Sequence, residues 1–324
     1  MSKAIRFHKT GGPEVLQLDE VSVGEPGPGQ ARVRHTAIGV NFLDTYQRSG
    51  LYPIQLPSGA GNEGAGVVEA VGQGVTQLKA GDRVAYTGGT PGAYSETRLY
   101  PADRLVKTPA GISDEQAASI MLKGMTAQYL IHRTYAVKRG DTVLFHAAAG
   151  GVGLLACQWL KALGATVIGT VGSDEKAAIA KAHGCDHAIV YTRENFVERV
   201  KEITGGKGVP VVYDSVGKST FEGSLDCLRP FGLMVSFGNA SGAVPPFNTG
   251  ILAQKGSLYL TRPTLVTYIA ARADLEATSS ALFDAIKSGK VKVDITKRYK
   301  LADAAQAHRD LEARKTTGQI ILVP

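Results

Sequence analysis

The stretch Phe145–Lys176 reads FHAAAGGVGLLACQWLKALGATVIGTVGSDEK, and its reading decides the fold. The residues DTVLFHA, from Asp141, predict a strand that runs into a glycine-rich turn. That turn nearly reproduces the dinucleotide pattern G-x-G-x-x-G, laid on Ala148, Gly150 and Gly153. Gly150 lets the backbone approach a pyrophosphate, and Gly153 lets the following helix pack closely on the sheet. Ala148 stands where the glycine of the tight turn belongs, so φ there must be negative and the turn must differ in shape. GVGLLACQWLKALG then predicts a helix closed by Gly164, and TVIGTV a second strand. A glycine match alone is weak. Between a strand and a helix, inside a βαβ unit, it predicts a nucleotide site at the positive end of the helix. The alternative is a tight strand-to-helix turn with no ligand.

The end of the second strand chooses the nucleotide. An NAD site wants a carboxylate there to bond the ribose hydroxyls. This chain has Thr170, Val171, Gly172 and Ser173, with Lys176 following. A lysine attracts a 2′-phosphate and a hydroxyl can bond it, so NADP(H) is expected. Two competing readings stay open: SDEK as a plain helix start, and Asp174 as the partner of an NAD ribose.

Outward from this unit, strands and helices alternate as far as GSLYLT, the pattern of a doubly wound parallel sheet. The first 110 residues differ. Short alternating strands such as ARVRHTAIGV and GAGVVEAVG, broken by glycine and proline turns, predict a β-rich region. Ser113 is a helix N-cap ahead of acidic first-turn residues. The tail predicts two helices and the closing strand GQIILVP, which returns to the first domain. The boundaries fall near Gly124 and Leu265: residues 1–124 with 266–324 form one domain, and 125–265 the other.

The 324 residues suit about two domains of the usual ~150 residues each. No apolar run approaches the ~20 residues of a membrane span, and the first residues lack a signal peptide's apolar core. Three scattered cysteines, Cys157, Cys185 and Cys227, point to buried thiols in a reducing, cytoplasmic compartment. The net charge of +7 is dispersed, with only short clusters such as KRYK at Lys297–Lys300, so nucleic acid is not the expected partner.

Taken together, NFLDTYQRSGLYP, GNEGAGVVEAVGQGVTQLKAGDRV, HAAAGGVG, VVYDSVG and GLMVSFGNASG resemble the zeta-crystallin-type quinone oxidoreductases. These form a zinc-free branch of the medium-chain dehydrogenase/reductase superfamily. The resemblance covers essentially the whole chain and is nearest to the bacterial NADPH:quinone reductases. It implies an α/β protein: a GroES-like, β-rich catalytic domain made from both chain ends, plus a Rossmann domain with a doubly wound parallel sheet. It implies NADPH in the cleft between domains, and a homodimer joined through edge strands near GSLYL. The zinc alcohol dehydrogenases place a Cys in the segment matching IGVNFLD and a His-Glu pair in that matching GNEG. Here those places hold Asn41, Asn62 and Glu63. No cysteine lies between residues 90 and 110, so no zinc is expected.

Without a Lewis acid an easier acceptor than an aldehyde is expected, and the resemblance implies a quinone. By the same carry-over, Asn41, Tyr46 and Tyr52 would orient the acceptor. Phe42, Asp44 and Thr45 would line the nicotinamide, with Tyr129 nearby. Gly150, Gly151 and Val152 would meet the pyrophosphate. Gly172, Ser173, Lys176 and Tyr191 would meet the adenosine phosphate. Ser215, Phe237, Gly238, Asn239 and Ser241 follow strand ends, where ligands bind in such folds. Arg262 and Arg314 would add charge. Two rivals remain: an NADPH-dependent reductase of alkenal or enone C=C bonds, and a non-enzymatic NADPH-binding structural or RNA-binding protein. Whether electrons pass singly, giving a semiquinone, or as a pair stays open.

Overall fold

A computed structural model describes all residues, Met1–Pro324. The chain forms two compact units: Met1–Met125 with Ile269–Lys287 and Val293–Pro324, and Thr126–Tyr268 with Ser288–Lys292.

The first unit is built on two sheets. Its seven-stranded sheet runs in the order Ile295–Lys300, Gln319–Val323, Gln30–Gly39, Glu63–Val71, Arg83–Thr87, Val106–Lys107, and Thr97–Pro101 also pairs with 30–39. Strand 30–39 alternates as read, with Ala31, Val33, His35 and Ala37 buried. Its inward side chains meet Tyr86, Tyr94, Tyr100 and Leu105 in one core. The terminal strand pairs antiparallel with 30–39, so the chain end joins this sheet. The neighbouring strand Ile295–Lys300 is not evident in the sequence, where KRYK reads as a basic cluster. It forms because it lies at the sheet edge, with Ile295, Lys297 and Tyr299 half-buried and the alternate residues exposed. Two of its charges are matched, Lys297 by Asp310 and Arg298 by Glu115.

The helix Asp114–Tyr129 opens as expected. Gln116 N–H donates to Ser113 Oγ at 3.1 Å, and Ser113 N–H to Gln116 Oε1 at 3.0 Å, a reciprocal capping box. A shorter helix, Phe42–Ser49, was not evident from periodicity, although Asn41 caps its start and Gly50 (φ 85°) its end.

The second unit is a six-stranded parallel sheet in the order His187–Val190, Thr166–Val171, Thr142–Phe145, Val209–Asp214, Leu228–Ser236, Tyr259–Thr261. In chain order that is 3-2-1-4-5-6, which reverses between strands 142–145 and 209–214. Ligands bind outside the carboxyl ends at such a reversal. Strand 209–214 is buried at every position, as a central parallel strand must be. The helix Gly151–Leu163 ends at Gly164 (φ 83°), as its sequence predicts.

Candidate functional site

At the sheet reversal the chain leaves strand 142–145 and turns. The sequence places the unusual residue at Ala148, but the left-handed residue is Ala147, with φ 55°. Ala148 keeps negative φ because its neighbour takes up the bend, and Gly150 N–H closes the turn onto Ala147 O at 2.9 Å. The Ala148 methyl is accommodated from the adjoining strand: a Cβ on Gly169 would lie 2.6 Å from it. Gly153 has the role assigned to it. A Cβ there would lie 2.4 Å from Ala147 O and 2.7 Å from Ala148 O, so any side chain would push the helix off the turn. Gly150, in extended conformation, caps helix 151–163 without a side chain. The positive end of the helix therefore meets only backbone, which suits a pyrophosphate.

A buried chain of hydrogen bonds holds this turn from below. Asp214 accepts from Val216 N, Gly217 N, Thr220 Oγ1 and Ser224 Oγ at 2.7–3.0 Å. With the Ser224 proton so committed, His146 Nε2–H must donate to Ser224 Oγ (2.9 Å). His146 Nδ1 then accepts from Thr170 Oγ1 (2.9 Å), which in turn accepts the Ala147 N–H at 3.4 Å. Burial lowers the His146 pKa, which keeps the ring neutral for this arrangement.

The residues expected at the adenosine phosphate lie together. A Cβ on Gly172 would meet the Tyr191 hydroxyl at 3.0 Å, and Tyr191 N–H bonds Val171 O at 3.1 Å. Ser173 caps helix Asp174–Ala182 by accepting Lys176 N–H at 3.3 Å, which leaves its own proton to donate. Asp174 is held by Arg193, a residue the sequence reading passed over. Ser215, Phe237, Gly238, Asn239 and Ser241 also converge. Ala240 N–H reaches Ser215 O, Ser241 N–H reaches Val216 O, and a Cβ on Gly238 would lie 2.5 Å from Ser215 O. Tyr129 is buried and stacks on Tyr268, centroids 4.3 Å apart, and burial raises its pKa. Arg262 follows the edge strand 259–261 in the same unit, whereas Arg314 lies on an exposed turn of the other.

The first unit carries the second group. Asn41 is buried, and its amide is pinned on both sides. Its Nδ2 donates to Glu63 Oε1 at 2.8 Å, and its Oδ1 accepts from Lys123 Nζ at 3.0 Å. Lys123 also donates to Val40 O (3.0 Å) and Glu63 Oε1 (3.3 Å), while Glu63 Oε2 accepts Leu122 N–H at 2.6 Å. Glu63 is fully buried. Asp44 accepts Asn41 N–H, Asn62 Nδ2–H and the Tyr94 hydroxyl at 2.7–2.8 Å. Its side chain is thus turned into the protein, and burial raises its pKa to about 6. The chain continues through His308 to Arg48 and on to Glu312: Tyr94 Oη to His308 Nε2 is 3.0 Å, and Arg48 to His308 Nδ1 is 3.1 Å. Arg48 can only donate, so His308 Nδ1 accepts and its Nε2–H points to Tyr94. Burial, with Arg48 beside it, holds the His308 pKa down at about 3. Thr45 donates back to Phe42 O. Phe42, Tyr46 and Tyr52 form a half-buried aromatic row, with centroids 6.1 and 5.2 Å apart. Lys123 and Tyr94 were missed by the sequence reading; a lone lysine amid Ile120, Met121, Leu122 and Met125 was the available signal for the first.

Residues 27–110 match the alcohol dehydrogenase GroES-like domain, and 151–282 the zinc-binding dehydrogenase model. The chain is 57% identical to a quinone oxidoreductase of Pseudomonas aeruginosa, over all of both chains. The chain belongs to the quinone oxidoreductase family. The solved Escherichia coli quinone oxidoreductase, complexed with NADPH, superposes with a TM-score of 0.98 at 55% identity, over 99% of this chain and 100% of that one. A 2-haloacrylate reductase of Burkholderia is 50% identical over 100% of this chain and 99% of its own length. Within the quinone oxidoreductase family this chain does not offer the donors that a zinc ion takes. Asn41 and Asn62 present amides, Glu63 is engaged by Lys123, and no three His, Cys, Asp or Glu side chains are grouped to hold a metal. No helix is long and apolar enough to cross a membrane.

Proposed function

We propose that this chain reduces quinones with NADPH as the electron donor. The observation that carries the reading is its full-length identity of 55–57% to three bacterial quinone oxidoreductases. The 2-haloacrylate reductase stands lower, at 50%, and its substrate shares with quinones an electron-poor conjugated system.

NADPH, when bound, supplies the hydride. The protein's part is to bind, orient and exclude water. The backbone of Gly150, Gly151 and Val152 would hold the pyrophosphate at the helix start. Gly172, Ser173, Lys176 and Tyr191 would hold the adenosine phosphate. The 215–220 and 237–242 loops would flank the cofactor, with Arg262 and Arg314 as further cationic contacts. In the first unit Asn41 retains one amide hydrogen beyond its bond to Glu63. It would orient the acceptor, with Tyr46 and Tyr52 donating to or stacking on its ring. Phe42 would line the nicotinamide, with Asp44 and Thr45 bracing the helix start behind Asn41.

The test is NADPH oxidation by the purified protein against a panel of ortho- and para-quinones, an enone and 2-chloroacrylate. Quinones should give the highest kcat/KM. Faster turnover of 2-chloroacrylate or the enone would overturn the reading in favour of C=C reduction. NADPH binding with no turnover, joined to salt-sensitive RNA binding, would favour the non-enzymatic rival. The proposal includes a homodimer through the edge strand Tyr259–Thr261, whose Tyr259 is exposed, and a cytoplasmic location. Sedimentation of the purified protein checks the first, and cell fractionation the second.

A further inference from the structure

We propose that Arg193 sets the preference for a 2′-phosphorylated cofactor by occupying Asp174, a carboxylate at the strand end that would otherwise favour NAD. The inference rests on the reading of NADPH as cofactor and names the residue pair that enforces it.

Asp174 opens the helix that follows strand 166–171. It lies three residues beyond Val171, close to where an NAD site carries its ribose-binding acid. A carboxylate there would bond the vicinal ribose hydroxyls and repel a 2′-phosphate. Both Asp174 oxygens are already taken. Arg193 NH1 donates to Oδ2 and NH2 to Oδ1, each at 2.5 Å. This is the two-pronged match of a guanidinium to a carboxylate, which a lysine cannot make.

Topology delivers Arg193 to that place. Strands 166–171 and 187–190 are parallel neighbours with Val171 opposite Val190. The turn after the second strand therefore runs beside the loop after the first. Tyr191 N–H bonds Val171 O, and Thr192 Oγ1 reaches Gly172 O at 3.4 Å. Arg193 is the next residue. The acid beside it, Glu194, is turned away, accepting Val190 N–H at 2.8 Å and pairing with Arg199. Arg193 is thereby left to Asp174 and not to its own neighbour. Arg193 takes the cluster of Asp174, Glu175 and Lys176 from one net negative charge to none.

The pair is solvent-exposed, so its contribution to folding is small and it is screened by salt. Its consequence is the net charge that meets the cofactor. That is readable by calorimetric titration of the full-length protein with 2′,5′-ADP and with 5′-ADP at low salt, without turnover. The wild type should bind 2′,5′-ADP more tightly. R193Q should lose roughly five-fold of that preference, the scale of one exposed charge acting on a phosphate, with an unchanged melting temperature. D174N/R193Q should recover most of it. The inference is overturned if R193Q keeps the wild-type preference. It is also overturned if the double variant stays as weak as R193Q, because Arg193 would then act on the phosphate directly. A wild type with no preference for 2′,5′-ADP would overturn the NADPH reading itself, and this inference with it.

Discussion

Replacing Lys123 by methionine tests whether the pinned Asn41 centre is an ionic lock. Methionine matches the lysine stem in length, so packing is nearly kept while the ammonium is lost. The Lys123 side chain is only 9% exposed and Glu63 not at all. Removing one partner of such a pair leaves the other buried without its counter-charge, which costs about 3–5 kcal/mol. Val40 O and Asn41 Oδ1 also lose their donor. Taking about 4 kcal/mol, and about 2–4 °C per kcal/mol for a unit of this size, K123M should lower the melting temperature of the first unit by roughly 8–16 °C. The second variant, E63Q/K123M, removes both charges. The neutral amide that replaces the Glu63 carboxylate can still accept from Leu122 N–H or Asn41 Nδ2, so the double variant should be more stable than K123M by roughly 2 kcal/mol. Urea unfolding of wild type, both single variants and the double variant closes the cycle. The reasoning is refuted if K123M costs less than about 1 kcal/mol, or if adding E63Q lowers stability further. Either result would mean that water, and not Lys123, solvates Glu63.

Four further outcomes are expected. G153V should raise the NADPH Kd at least ten-fold, because its Cβ would meet Ala147 O at 2.4 Å and move the helix start proposed to hold the phosphates; fluorescence titration reads this directly. T170V should weaken NADPH binding by roughly three- to ten-fold by releasing Ala147 N–H and His146 Nδ1, at a stability cost of about 1–3 kcal/mol; binding unchanged from wild type would show that the turn holds itself. Y94F should cost about 1–3 kcal/mol by leaving Asp44 and His308 each short of a partner, seen as a lower urea midpoint. Acid should destabilise the first unit: burial holds His35 at about 4 and His308 at about 3, below the ordinary 6.5, so the stability they contribute at neutral pH is lost as pH falls from about 6.5 through those values. At about 1.4 kcal/mol per pH unit the two losses are about 3 and 5 kcal/mol. Asp44, raised by burial to about 6, acts in the opposite sense and returns about 3 kcal/mol between pH 6 and its ordinary 3.8. The net loss by pH 3 is about 5 kcal/mol, and urea midpoints that stay flat from pH 7 to 3 would contradict it.

What could be read in advance divides along sequence distance. The Rossmann unit was legible from Asp141 onward because each signal is local: a buried strand, a glycine turn, an apolar helix stripe, Gly164 at its end. Ser113 was legible for the same reason, its capping partner Gln116 lying three residues away. The helix Phe42–Ser49 was not, because its eight residues span barely two turns and show no long apolar stripe, and only its caps mark it. The strand Ile295–Lys300 was hidden by its charges, which satisfy partners on other elements. The site divides in the same way. Gly153 and Ser173 meet neighbours a few residues off, so their local contacts follow from spacing. Lys123 meets Glu63 across 60 residues of chain, and Arg48 meets His308 across 260. No periodicity carries such pairs; they exist only once both sheets have closed. The same holds for Asp174, which spacing alone leaves open to an NAD ribose. Its partner Arg193 lies 19 residues on, beyond any turn signal, and only the parallel pairing of two strands brings the guanidinium to it. On this proposal, cofactor choice at this strand end would be a property of the sheet register as much as of the residues assigned to the phosphate.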